Sequence, residues 1–485
     1  MWRKFLGTLI KPTLNALAKR VSPLNLRSES LHLNLITVAR SIAVDKDFRI
    51  LLPVDSDRTY IDPKSIKIGF FGNIANNAYN FTKCLNRLNH SAELVIQDGW
   101  FDNFLMNRPF WEDEKIKCNS FEDALAKESQ WKTPVYVRRV AYDPYMQMKF
   151  QGRYSAISEV QSMYKEAFQI DIPEDKALLL AQHMGHWPYL LAMKRYDVIQ
   201  FSGAPISLGI FCPKPYVVFP TGSDLFISPF QETLFGLLMR AGYRYAQQLL
   251  LCEINYPKYL NRLDPSLVYS FAPLMIDTDC YLSSDSLTIS TIRNKWMNQV
   301  GGKKFMLNVC RQSWQWKGND RLILSFCEFI KQSDRQDEWR IVFMQWGDDI
   351  DKSKQLIEDI GIGDKVLWEP LVSKPMLRDL QCASDLVVDQ FVMQGYGTSV
   401  LESMALGKPV LIAPFEQGKN SMFDEKPPFI EATSTKEIQS ALECCSNDNF
   451  LKEKGLQSLE WLYKNHGYRQ VAEIYTSSYI ASVIR

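Results

Sequence analysis

The stretch Gln394-Gly395-Tyr396-Gly397-Thr398-Ser399-Val400-Leu401-Glu402-Ser403-Met404-Ala405-Leu406-Gly407-Lys408-Pro409 decides the fold. It joins two short apolar runs, Leu386-Val387-Val388 before it and Val410-Leu411-Ile412 after it, which read as buried strands. Between them Val400, Leu401, Met404 and Ala405 recur at helical spacing, and Gly407-Lys408-Pro409 stops the helix. Gly395 and Gly397 remove side chains where the chain must turn, and Thr398 or Ser399 is placed to cap the helix. A strand, a glycine loop and a helix start in that order expose unpaired N–H groups at the positive end of a helix dipole, a geometry that suits a phosphate. Glu402, in the first helical turn, can accept hydrogen bonds from hydroxyls of a sugar attached to that phosphate.

The same α/β rhythm extends outward. Residues 66–71 read as a strand, Gly72 as the turn after it, 79–88 as an amphipathic helix and 94–96 as the next strand. Further strands are expected at 196–200, 215–219, 305–309, 340–343 and 365–367. Residues 271–277 close a first domain, the polar run 283–290 reads as the connection to a second, and the last thirty residues read as helical. The segment 100–165 is rich in aromatic residues, Arg and Met, with little periodicity.

Composition narrows the class. A chain of 485 residues exceeds one typical core, so two or three domains are expected. A formal net charge of +1 gives no field that would draw nucleic acid. Ten cysteines without a C-x-x-C pair read as free thiols of a reducing compartment. No apolar run approaches the ~20 residues of a membrane span, and the amino terminus lacks the apolar core of a secretory signal, so a cytoplasmic protein is expected. Residues 1–20 stand apart: Trp2, Phe5, Leu6, Leu9 and Ile10 recur at helical spacing, while Arg3, Lys4, Lys11, Lys19 and Arg20 meet no acid. Such a segment can lie on an anionic membrane surface, which would make the protein peripheral to a membrane; Pro12 interrupts it.

The motif resembles the retaining sugar-nucleotide glycosyltransferases of the GT-B fold, the glycosyltransferase family 4 type also called glycosyl transferases group 1. Their signature is two glutamates separated by seven residues around Phe-Gly, followed by Glu-Ala-Met-Ala-Cys-Gly-Lys-Pro-Val. Here the second acid is Glu402, and Ser403-Met404-Ala405-Leu406-Gly407-Lys408-Pro409-Val410 is close to the tail, whereas Gln394 replaces the first acid and Tyr396 the Phe. The resemblance implies an α/β protein with two Rossmann-like domains facing across a cleft and a C-terminal helix returning to the first. The corresponding divisions are 1–65 as an extension, 66–283 as the acceptor domain, 284–455 as the donor domain and 456–485 as the returning helical segment.

It also implies roles. Arg311 and Lys317, with Gly318 following, would grip the donor diphosphate, and fixed cations there would make no metal or other cofactor obligatory. Gln394 would face the transferred sugar; Gly72, Gly395, Tyr396, Gly397, Thr398, Ser399 and Glu402 would bind the donor, Glu402 through ribose hydroxyls. The implied activity moves a sugar from a nucleoside diphosphate sugar to a glycan or lipid-linked saccharide with retention of configuration, in polysaccharide biosynthesis. Because Gln394 lacks the acid's charge and Thr221 stands where relatives have His in His-Gly-Ser-Asp, two alternatives stay open: a catalytically silent sugar-nucleotide or glycan binding protein, and a GT-B sugar-nucleotide epimerase. Asp55-Ser56-Asp57 and Asp277-Thr278-Asp279 spell a metal-binding Asp-x-Asp out of context, and His183 and His186 show no third ligand, so no metal site is assigned to either.

The terminal segment makes a direct prediction: deleting residues 1–20 should reduce co-sedimentation with anionic vesicles without unfolding the protein. Equal binding by full-length and truncated protein would refute it.

Overall fold

The structure, a computed structural model, describes residues 27–44, 62–101, 104–118, 120–281, 285–332, 338–393, 395–415 and 422–484. The segment 1–20 and the pair Asp55 and Asp57 lie outside them. Its first strands are β1 (Lys67–Phe71), β2 (Ser91–Asp98), β3 (Lys117–Cys118), β4 (Val137–Ala141), β5 (Val198–Phe201), β6 (Tyr216–Val218), β7 (Gln248–Leu251) and β8 (Tyr269–Phe271). All but β3 form one parallel sheet in the order β4-β2-β1-β5-β6-β7-β8. Next come β9 (Lys304–Asn308), β10 (Trp339–Met344), β11 (Val366–Glu369), β12 (Leu371–Val372), β13 (Leu386–Val388), β14 (Val410–Ile412) and β15 (Ile430–Glu431). These, without β12, form a second parallel sheet, β11-β10-β9-β13-β14-β15. The chain therefore contains two Rossmann-like α/β units.

Parallel strands covered on both faces need apolar residues on both. Phe70 and Phe71 are each fully buried, yet they point into different cores because side chains alternate along a strand. On one face Phe81, from the helix Asn77–Arg87, packs edge-on against Phe219 at 5.3 Å and against Tyr475 at 5.0 Å. Tyr475 belongs to the last helix, Tyr468–Ile484, which has returned from the second unit to lie on the first sheet. On the other face the helix Leu234–Tyr245 buries Leu237, Leu238, Met239 and Ala241. None of the described helices is long and apolar enough to cross a membrane.

Two expectations need correction. The polar run 283–290 is not a free connection: the helix Ser286–Val300 begins inside it, with the Asp285 carboxylate accepting from the Leu287 and Thr288 amides at 3.1 and 3.2 Å. Trp296 anchors that helix, buried against Phe305 and donating its indole N–H to Glu369 Oε1 at 2.7 Å. The segment 100–165 is also more ordered than its weak periodicity implies, since it supplies β3, β4 and four short α-helices.

The units meet directly. β3 of the first pairs antiparallel with β12 of the second, and Ser373 extends the seam by donating its amide to the Ile116 carbonyl at 2.9 Å while its hydroxyl accepts the Ile116 amide at 2.8 Å. Lys115 and Asp379 form an ion pair at 2.8 Å on the rim.

The docking of the last helix rests partly on Tyr479, whose buried hydroxyl donates to Gln200 Oε1 at 2.6 Å. The other end of that amide, Gln200 Nε2, has no hydrogen-bond partner among the described residues. Tyr479→Phe should therefore leave the whole Gln200 amide unpaired and cost about 1–3 kcal/mol, measured by denaturant unfolding.

Candidate functional site

In an open parallel sheet, ligands bind beyond the carboxyl ends of the strands, where the strand order reverses direction. In the second sheet that reversal lies between β9 and β13, which are neighbours. The loop after β9 carries Arg311 and Lys317, and the loop after β13 carries Gly395–Ser399, so two distant sequence motifs arrive side by side. A buried amide network ties the two loops together. Asn308 Nδ2 donates to the Val388 and Asp389 carbonyls, both at 3.2 Å, Asn319 Nδ2 donates to Asn308 Oδ1 at 3.1 Å, and Asn319 Oδ1 accepts the Ser313 amide at 2.8 Å.

The Arg311 guanidinium is half-buried, and among the described residues no hydrogen bond or ion pair engages it. Lys317 Nζ donates to Gln390 Oε1, and Gln390 Nε2 in turn donates to the Gly395 carbonyl at 2.7 Å, which fixes the glycine loop relative to the lysine. Gly395 has φ +98°, a left-handed conformation that favours glycine. Gly397 is different from the expectation: its φ is −96°, open to any residue, and it is itself the N-cap of the helix Thr398–Ala405, with Thr398 and Ser399 already inside the first turn. No side chain caps that amide end, and a Cβ at Gly397 would point into open space. The site thus offers helix amides beside an unpaired guanidinium. Tyr396 contributes backbone only; its ring is buried against Phe415 and Phe429, with its hydroxyl 3.2 Å from His466 Nε2. Gln394 lies outside the described residues.

Glu402 is held by Lys374, whose Nζ lies 2.8 Å from each carboxylate oxygen and 3.4 Å from Ser399 Oγ. Burial works against the Lys374 charge, but Glu402 and Glu112 outweigh it and keep the ammonium above the ordinary lysine range. Glu112 comes from the first unit. Burial pushes its carboxyl up to about 7, with Lys374 pulling it down and Glu402 pushing it further up.

On the first-unit side, Gly72 follows β1, beside the β1/β5 reversal of that sheet. Its φ is +92°, and a Cβ there would stand 2.0 Å from the Ser202 carbonyl oxygen, so glycine is required by the turn itself. After β6, the Asp224 carboxylate accepts the Thr221 amide at 3.0 Å and the Gly203 amide at 3.1 Å, folding the loop that carries Thr221. After β7, Glu253 packs on the backbone of Gly395, its carboxylate oxygens 3.2 and 3.3 Å from the position of a Cβ there. Motif reading missed Glu253, Glu112, Lys374 and Gln390. Only Glu253 had a usable signal, its place just beyond a strand end.

The other acidic and histidine pairs have structural duties. Asp277 pairs with Arg87, while Asp279 accepts from Tyr468 at 2.6 Å and Arg469 at 3.0 Å, anchoring the last helix. His183 Nδ1 lies 2.9 Å from the Leu179 carbonyl and His186 Nδ1 2.7 Å from Gln97 Oε1. Burial lowers the pKa of both.

Residues 291–451, which hold both loops of the second sheet, match the family of glycosyl transferases group 1. Sequence comparison with curated proteins returns no match. Among solved structures the chain is similar to HepE of Anabaena in complex with UDP, at 14% identity over 85% of this chain and 100% of that one, with a TM-score of 0.56. It is also similar to the N-terminal domain of trehalose-6-phosphate phosphatase from Candida albicans, at 12% identity over 89% and 99% with a TM-score of 0.59. A third is sucrose-phosphate synthase from Thermosynechococcus elongatus, at 11% identity over 85% and 98% with a TM-score of 0.56. These likenesses establish the GT-B fold. Within residues 291–451, Arg311, Lys317, Gly395, Gly397, Thr398, Ser399 and Glu402 come together at one strand-order reversal, while Gly72 lies at the reversal of the other sheet.

Removing one member of a buried ion pair leaves the other uncompensated. Glu402→Ala should therefore lower unfolding stability by about 3 kcal/mol. The double variant Lys374→Met/Glu402→Ala should recover part of that loss, as a double-mutant cycle will show.

Proposed function

We propose that this chain is a retaining glycosyltransferase of the family 4 type that moves a sugar from a nucleoside diphosphate sugar to a hydroxyl of a glycan or lipid-linked saccharide. One observation carries the reading: the Arg311 guanidinium, with no partner among the described residues, lies in the loop next to the amide end of the helix Thr398–Ala405, which no described side chain caps, a combination suited to a diphosphate. Uridine is the first nucleoside to test, because the similar HepE structures contain UDP and UDP-glucose.

In this reading Arg311, Lys317 and the helix amides hold the diphosphate, and the negative charge that grows on it as the sugar departs is stabilised by groups already oriented by the Asn308, Asn319 and Gln390 hydrogen bonds. Glu402 accepts the ribose hydroxyls, with Lys374 orienting its carboxylate. A phosphate oxygen of the donor takes the acceptor proton, so no protein base is required. Apposition of the two units along β3 and β12 keeps water from the reacting centre. The acceptor lies on the first unit.

The test is a panel of sugar nucleotides scored by thermal stabilisation and transfer in the presence of EDTA. The parent should be stabilised by at least one donor and should transfer sugar without added metal. Arg311→Ala and Lys317→Ala should each lose about a hundredfold in kcat while melting as the parent does. Parent-like rates in both variants would refute the assignment.

A further inference from the structure

Glu253 stands two residues beyond the end of β7, on the edge of the first unit that faces the second. Its carboxyl rests on the backbone of Gly395 at the distances given above, across the cleft from its own sheet. Among the described residues no hydrogen bond or ion pair satisfies it, and it is half-buried. Burial pushes its pKa up to about 8. Among the described residues, the titratable groups that interact with it are Cys252 and Tyr256 from its own turn and Tyr396 from the second unit, and none of these is a cation.

An ionised carboxyl with no partner among the described residues costs stability in such a place, and a permanently neutral side chain of similar size would pack there without that cost. The cost is understandable if a ligand completes the environment. Glu253 is set against the loop whose neighbouring position, 394, holds a neutral amide in the sequence. The same loop leads into the helix whose amide end opens the proposed anion site, so the carboxyl lies against the loop that borders that site.

We propose that Glu253, reaching over from the first unit, is the catalytic carboxylate that faces the transferred sugar. This rests on the glycosyltransferase reading and assigns the charge at its reacting centre. The bond between the sugar carbon and the diphosphate oxygen breaks with its electron pair on the oxygen, the acceptor oxygen bonds to the same carbon, and the acceptor proton passes to the departing phosphate. Glu253 forms no covalent bond and keeps its charge throughout. It stabilises the positive character that develops at the sugar carbon between the two events.

The ionised form is the active one, and its pKa lies above the ordinary carboxyl range, so the rate is lost as pH falls below about 8. The experiment compares parent, Glu253→Gln, Glu253→Asp and Arg311→Ala, each checked by thermal melting, for UDP-induced stabilisation and for kcat, KM and the pH profile of transfer. Glu253→Gln should melt and bind UDP as the parent does, lose at least about tenfold in kcat with little change in KM, and lose the rise of kcat/KM between about pH 6 and 8. Glu253→Asp should keep that rise at a reduced rate. A Glu253→Gln variant within about twofold of the parent kcat, with the same pH profile, overturns the proposal while leaving the transferase reading intact if Arg311→Ala is inactive. A parent that neither binds nor transfers any sugar nucleotide overturns both.

Discussion

Every strand of each main sheet runs the same way, and that single constraint arranges the whole molecule. A parallel strand cannot turn back at once, so each is followed by a loop and usually a helix, and all the loops emerge at one edge. At that edge the helices present their amide ends. Two such edges turned toward one another give a cleft lined with unsatisfied N–H groups before any side chain is considered. The β3–β12 seam, only two residues long on each side, then fixes how the edges face.

The charged side chains around the cleft come from both units. The second unit supplies Arg311, Lys317 and the Lys374–Glu402 pair, and the first supplies the carboxyls Glu112 and Glu253. A ligand carrying a negative diphosphate and a sugar that turns positive during reaction would meet complementary charge only when both halves are present. The specificity of such a cleft is a property of the pair of units, and changes in either would alter it.

The sequence made the central strands readable because they are buried on both faces and sharply bounded, by Asp385 and Asp389 for one and by Pro409 before the other: Leu386–Val388 and Val410–Ile412 begin and end where their apolar runs do. Edge strands were harder. Tyr269–Phe271 is only partly buried along its length, so its pattern is not that of a core strand, and Lys117–Cys118 is a strand only because Leu371–Val372 lies beside it. The helix is capped at Gly397, one residue before Thr398 and two before Ser399, the caps that local preference favours. Glu112 had no local signature, and Glu253 only its place just beyond a strand end. Their surroundings come from a chain segment far away in sequence, and no window of neighbouring residues contains that information.

The chain passes from the first unit to the second after Ile276 and comes back at Gly467, and these two crossings lie side by side. The Ile276 amide donates to the His466 carbonyl at 2.9 Å, and the Tyr468 amide donates to the Ile276 carbonyl at 3.1 Å. One tether would let the units swivel freely. Two tethers stitched together resist twisting and permit bending about their common line, as the spine of a book does. Any change in the angle between the units would therefore bend about that line and would also have to break the β3–β12 seam.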